Sequence, residues 1–239
     1  MKQVFFIALF FITATQIEAQ GLKGLVNKAK QTVGMAPSSL GSDELAAGLK
    51  EALAQGAQKG TAELSKVDGF FANAALKILL PPEAKKVEGT LRGVGMGKQV
   101  DAAILSMNRA AEDACKSAAP IFVNAIKQMN FQDAAAILKG SDTSATAYLR
   151  GKTTAELTTA FRPVIEQSLQ KVDATKYWNA IISNYNRFSL QKINPDLAAY
   201  VTDRALGGIF IQVAQEEKNI RENPVARTTD LMKKVFSGK

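Results

Sequence analysis

The sequence predicts an all-α protein, built as a single compact multi-helix domain with a buried central helix near its C-terminus. First, apolar residues recur at spacings of three and four along most of residues 42–239, which is the period of a helix. Second, 46% hydrophobic and 22% charged residues is the balance of a globular domain. Third, only Gln212 is polar between Ala205 and Ala214, and a helix that is apolar on all sides is a buried one.

Residues 1–19 have the pattern of a cleaved export signal. The positively charged Lys2 precedes an apolar run of nine residues from Val4 to Ile12, and the small residue Ala19 lies just before the predicted cleavage site. The run is too short to cross a bilayer, since a membrane-spanning helix needs about 20 residues. We therefore expect an exported protein whose mature chain begins near Gln20.

Residues 20–41 are predicted to form a flexible basic tether. They contain Lys23, Lys28 and Lys30 and no acidic residue, and their apolar residues form only a weakly amphipathic pattern. So few apolar contacts cannot offset the entropy lost when such a segment is ordered. The simplest interpretation is a spacer without affinity; the alternative, which the net charge of +8 also suits, is contact with an anionic membrane surface.

The helical domain, residues 42–239, is predicted to begin with Ser42, which can cap a helix whose first turn carries two acidic residues. Small residues then repeat every four positions, at Gly48, Ala52, Gly56 and Gly60. Glycine costs about 1 kcal/mol inside a helix. The stripe therefore predicts that another backbone approaches this helix closely.

Two short segments interrupt the helical pattern. Residues 75–80 precede a pair of prolines, and because the residue before a proline favours an extended backbone, we predict a short extended segment that lies on the helices. The glycines from Gly93 to Gly97 resemble a phosphate-binding loop. Arg92 and Gln99, however, occupy the positions where that loop requires glycine and Ser or Thr, so we predict a turn between two helices.

Capping signals divide the second half of the domain. Thr153 and Glu156 have the spacing of a capping box, which predicts that a new helix begins there and is kinked at Pro163. The clearest helix start is Asn194-Pro195-Asp196, with a cap, a proline at the first position and an acid in the first turn. This start leads into the apolar residues 205–214, which we predict to form the buried central helix.

The composition excludes several classes of active site. The chain has no histidine and one cysteine, which excludes histidine-activated nucleophiles, histidine metal sites, cysteine metal clusters and intramolecular disulfides. Cys115 is predicted to be a buried, unreactive residue. We therefore assign no catalytic residue, no cofactor and no metal ligand. We expect no nucleic-acid partner, because aromatic residues are not interleaved with the basic ones.

Two candidate ligand or partner contacts lie side by side in the helix predicted over residues 98–118. Asn108 borders the apolar face of this helix, and a buried asparagine needs hydrogen-bond partners, most simply backbone groups. Arg109 points outward, three residues before Glu112, with which it can form an ion pair.

Two further candidates, Gln212 and Glu216, lie in or just after the apolar stretch. Gln212 either binds the backbone of a neighbouring helix or lines a cavity. Glu216 is adjacent to Glu217, but neighbours on a helix point about 100° apart and do not form one acid–base pair. The spacing of Glu217 and Arg221 predicts a surface ion pair.

Several stretches, taken as a set, resemble a family of exported bacterial proteins known only as a domain of unknown function, number 4197. The similarity runs from about residue 40 to the C-terminus. It implies bacterial export and a compact helical domain, and it implies no activity, cofactor or catalytic residue. For an exported bacterial protein with this signal pattern, we expect the periplasm as the location. The stretches are DGFFANAALKILLPP (68–82), MNRAAEDA (107–114), PIFVNAIKQMNFQDAAAILKG (120–140), TAYLR (146–150) and QEEKNIRENPVARTTDLMKKVF (215–236).

Three hypotheses about function follow. The first is a non-enzymatic protein of the bacterial envelope that binds a partner protein, a membrane surface or an amphiphile. The second is a hydrolase that acts on an envelope glycan with carboxylates alone, which requires two carboxylates about 5–9 Å apart in a cleft. The third is a purely structural or assembly role. An apolar cavity ringed by a few polar groups favours the first, and a closed core favours the third.

Overall fold

The computed structural model describes residues 41–172, 174–190 and 192–237. The predicted export signal and all of the predicted tether except Gly41 lie outside the described residues. Within the described residues there are helices and no strand, which confirms the all-α class. None of the described helices is both long and apolar enough to cross a membrane.

The helices are connected mostly by short turns. In chain order they are α1 (Ser42–Leu64), α2 (Lys85–Gly93), α3 (Gly97–Cys115), α4 (Ala118–Lys127), α5 (Phe131–Lys139), α6 (Ser144–Lys171), α7 (Ala174–Phe188), α8 (Leu197–Glu222) and α9 (Asp230–Phe236), with 3₁₀ turns at Pro82–Ala84 and Pro224–Ala226. The predicted turn between two helices joins α2 to α3. Gly95 has a φ of 86° there, a backbone conformation that glycine adopts without strain.

The core is built around α8, which packs against α1, α3 and α6. This confirms a buried helix near the C-terminus: Ala205 and Ile209 are fully buried and Phe210 nearly so. The prediction that residues 205–214 are buried on every side is wrong in one respect. Ile211 is 45% exposed, because one face of α8 is left uncovered between its neighbours.

The small residues of α1 allow the close approach that the sequence predicts. A Cβ atom added to Gly48 would lie 2.5 Å from Val235 of α9. Added to Gly60, it would lie 3.2 Å from the Gln212 side chain of α8. The stripe is therefore explained by helix packing and needs no ligand.

The prediction that a capping box at Thr153 begins a new helix is wrong, because α6 runs without a break from Ser144 to Lys171. Thr153 is fully buried, and its hydroxyl donates to the Leu149 carbonyl one turn earlier, at 2.7 Å. A threonine that bonds back along its own helix satisfies its polar group without starting a new one. Pro163 also lies inside this helix.

Candidate functional site

A strap, which we define as residues 75–80, crosses α3 and is held there by Asn108. The strap has no helix or strand, consistent with the predicted extended segment, although residues 75 and 76 lie in a turn. Asn108 is fully buried, and its Oδ1 accepts from Ile78 N at 2.8 Å while its Nδ2 donates to Ile78 O at 2.8 Å. Nδ2 also donates to Ile104 O, so the partners of this amide are backbone groups, as the sequence predicts.

One turn further along α3, Glu112 holds the chain that leads into the strap. Its Oε1 accepts from the backbone N–H groups of Phe70 and Phe71, at 3.1 and 3.2 Å. Its Oε2 accepts from Arg109 Nη1 at 2.6 Å, and Arg109 Nη2 donates to Asp68 at 2.7 Å. The hydrogen bonds that Arg109 donates to Glu112 and Asp68 raise the pKa of Arg109, so this arginine is held charged between two carboxylates.

An apolar groove of about 720 Å³ lies beside Arg109, which is one of its lining residues. Helices α2 and α3 form one side of the groove, and the end of α6 and helix α7 form the other. Its lining is mainly aliphatic and aromatic. The lining residues that matter below are Val87 and Leu91 of α2, Val100 and Ala103 of α3, and Trp178 and Ile181 of α7.

Water reaches several large apolar side chains at the mouth of the groove. Met96 is 38% exposed, Leu105 is 36% exposed and Val172 is 54% exposed. Exposed apolar groups that gather around a concave surface mark binding sites more often than isolated ones do. The groove is therefore the described region best suited to an apolar ligand.

Helix α2 is the least tightly held wall of the groove. It buries none of its residues fully, although Val87 and Leu91 face the cavity. It packs against α3 and the adjoining 3₁₀ turn, and the glycine-rich turn at Gly95 connects it to α3. A helix with so few buried contacts is expected to move more readily than the core helices.

A few polar groups ring the groove. Arg109 and Asp113 lie on α3, and Ser168 and Lys171 lie on the last turn of α6. Arg109 is already bound to two carboxylates, and Asp113 is paired with Lys116 at 2.8 Å. Within the described part of the chain, Lys171 forms no ion pair, so its charge is available to a ligand.

The structure separates the four residues that the sequence selected. Arg109 lines the groove, whereas Asn108 does not line it and instead holds the strap by its hydrogen bonds to Ile78. Gln212 is only half-buried and rests over Gly60. Glu216 lies one turn after Gln212 on the same face of α8 and binds Lys59 at 2.8 Å, in the contact with α1.

Sequence reasoning missed the main lining residues of the groove. In the sequence, Val87 and Leu91 have the spacing of one apolar face of α2, and Trp178 and Ile181 have that of one face of α7. The same pattern also predicts ordinary core residues. A periodicity shows which face is apolar but does not show whether a neighbouring helix covers it.

Two further residues from the sequence analysis, Glu217 and Cys115, have structural roles. Glu217 is buried, and its carboxylate accepts from the backbone N–H groups of Ala145 and Thr146 at the start of α6. Its Oε1 also accepts from Arg221 Nη2 at 2.9 Å. The predicted ion pair thus exists, but it is buried rather than at the surface. Burial raises the pKa of the Cys115 thiol, which suits an unreactive residue.

No cluster of cysteine, aspartate and glutamate suited to a metal ion occurs among the described residues. The fold and the groove define a small all-α domain with an apolar cavity of ligand size. The chain belongs to the family described as "Protein of unknown function (DUF4197)", whose model matches residues 39–237. This match confirms the resemblance. Neither a curated protein nor a solved structure shows significant similarity to the chain.

Proposed function

We propose that this protein is a non-catalytic binding protein of the bacterial envelope that holds an amphiphile by a single apolar chain. The observation that carries the proposal is the apolar groove, with its volume of about 720 Å³. Pockets for small molecules commonly enclose about 300–1,000 Å³ and are mostly apolar with a few polar groups. The groove between α2, α3 and α7 has this size and character.

The lining favours an aliphatic chain over a polar ligand. Val87, Leu91, Val100 and Ile181 offer no hydrogen-bonding groups, so a polar ligand would lose its bonds to water without replacement. Each buried methylene contributes about 0.8 kcal/mol. Affinity should therefore rise about fourfold for each methylene added, until the chain fills the groove.

The charges at the rim favour an anionic head group. Lys171 lines the groove and forms no ion pair with the described residues, whereas Arg109 and Asp113 are already paired. An anionic head group beside Lys171 would give this ammonium group a partner. An amphiphile of the same chain length with a neutral head should bind more weakly.

Quenching of tryptophan fluorescence tests the proposal directly. Trp178 is the one tryptophan of the chain and lines the groove, so bromine on an apolar chain quenches its emission on contact. We expect dodecanoate brominated at its terminal carbon to quench Trp178 with a saturable dependence on concentration. Unbrominated dodecanoate should compete and restore the emission.

A matched pair of variants controls this experiment. Ala103→Phe places a ring in the groove and should weaken binding at least about tenfold, whereas Ala180→Phe makes the same change at an exposed position of α7 outside the groove. Lys171→Gln should reduce affinity for the carboxylate and leave that for a neutral monoacylglycerol unchanged. Equal quenching in wild type and Ala103→Phe, with both proteins folded by circular dichroism, would contradict the proposal.

The proposed location in the periplasm rests on residues 1–19. Lys2, the apolar run from Val4 to Ile12 and Ala19 together have the pattern of a cleaved signal. We expect N-terminal sequencing of the protein purified from its bacterium to begin near Gln20. A mature protein that retains Met1 would rule out processing.

A further inference from the structure

A second pocket, of about 370 Å³, lies between α6 and α8, near the start of the strap. Unlike the groove, it is rich in charge. Arg150 and Thr154 come from α6, and Asp203, Arg204 and Gly207 come from α8. Positions 150 and 154 are one turn apart on α6, and positions 204 and 207 share one face of α8.

The two arginines of this pocket differ from most other arginines of the domain. Three others each bind two carboxylates: Arg92, Arg109 and Arg162. Arg150 and Arg204 are exposed and form no ion pair within the described residues. The Arg150 guanidinium lies 4.7 Å from the centre of the Phe210 ring, which holds it against the wall of the pocket.

Gly207 leaves the floor of the pocket as bare backbone. A Cβ atom added at Gly207 would meet no other atom within 4 Å, so packing does not explain this glycine. The adjacent Gly208 is explained, because its Cβ would lie 2.5 Å from the Phe70 ring. Glycine is a poor helix former, and at Gly207 its effect in the folded state is to leave this part of the pocket lining without a side chain.

We propose that this pocket binds a phosphate group through Arg150 and Arg204. A guanidinium presents several N–H donors in a plane that matches the oxygens of a phosphate. The Thr154 hydroxyl already donates to the Arg150 carbonyl at 2.6 Å. The side chains that donate hydrogen bonds to the phosphate are therefore the two arginines. Asp203 reduces the net charge of the pocket to +1 and can accept a hydrogen bond from a hydroxyl of the esterified alcohol.

Calorimetric titration of the mature protein at constant ionic strength tests this site, with inorganic phosphate and glycerol phosphate as probes. We expect both to bind, and we expect Arg204→Gln to weaken binding at least about tenfold. Arg150→Lys keeps the charge but loses the planar fork, so its loss should be smaller. Asp203→Asn removes a repelling charge and should strengthen binding. The matched control is Arg187→Gln, which removes an exposed arginine from α7.

Two further measurements identify the source of the phosphate and separate this site from the groove. Co-sedimentation with vesicles shows whether a lipid head group occupies the pocket. We expect vesicles of phosphatidylglycerol to bind in an Arg204-dependent way, and vesicles that contain only phosphatidylcholine not to do so. Gly207→Leu keeps both arginines but fills the floor, and should abolish phosphate binding. Quenching of Trp178 by the brominated chain should be unchanged in Arg204→Gln. Phosphate binding that is absent from the wild type, or equal in wild type and Arg204→Gln, overturns the proposal.

Discussion

Ile209→Asp is expected to lower the free energy of unfolding by several kcal/mol. Ile209 is fully buried in α8, at the centre of the contacts with α1, α3 and α6. A carboxylate there has no partner and loses its water, which is far more costly than the loss of the methyl groups alone. Against a total stability of about 5–15 kcal/mol for a domain, this change removes a large fraction of the free energy of unfolding.

Ile211→Asp is the matched control, because it introduces the same charge two residues further along the same helix. Ile211 is 45% exposed, so its carboxylate stays hydrated and the expected change is within about 0.5 kcal/mol. Urea unfolding followed by circular dichroism at 222 nm, a wavelength that reports helix content, measures both variants. Similar midpoints for the two would show that α8 is not buried as described.

Glu217→Ala should destabilise the domain by about 3–5 kcal/mol, the range for breaking a buried ion pair. The substitution leaves the buried Arg221 guanidinium without its carboxylate, since its remaining partner is the Ile137 carbonyl at 2.9 Å. It also leaves the backbone N–H groups of Ala145 and Thr146 without an acceptor at the start of α6. Unfolding by urea, compared with wild type, measures the loss.

Two comparisons show whether the buried charge causes this effect. Glu216→Ala removes the adjacent carboxylate, whose partner Lys59 is half-exposed, and should cost only about 1 kcal/mol or less. The double variant Glu217→Met with Arg221→Met removes both charges and should recover much of the stability lost in Glu217→Ala. If Glu217→Ala were as mild as Glu216→Ala, the buried network would not stabilise the fold.

The candidate site was only partly predictable from the sequence. Asn108 was predicted to bond with backbone groups, and it does, because its place at the edge of an apolar face implies burial. Arg109 was predicted to point outward and pair with Glu112, and it does so at the edge of the groove. The groove itself was not predictable, because its walls come from helices far apart in the chain.

The adjacent carboxylates of α8 show a second limit of sequence reasoning. Glu216 and Glu217 have the same side chain and nearly the same neighbours in sequence, yet one binds an exposed lysine and the other lies in a buried network. A rotation of about 100° around the helix separates their environments. Both carboxylates are buried, and only the positions of α1, α5 and α6 around α8 decide which of them pairs with a surface lysine and which with the buried Arg221.

The sequence by itself determined the all-α class, the glycine stripe of α1, the turn at Gly95 and the near-C-terminal helix of the core. Each of these depends on residues within a few turns of one another, so local spacing and backbone preference are sufficient. The tertiary structure alone decided that Ile211 is exposed, that Thr153 lies inside a continuous helix, and that α2, α3 and α7 leave a groove. These features depend on which helices pack side by side, and that is set by contacts between residues distant in the chain.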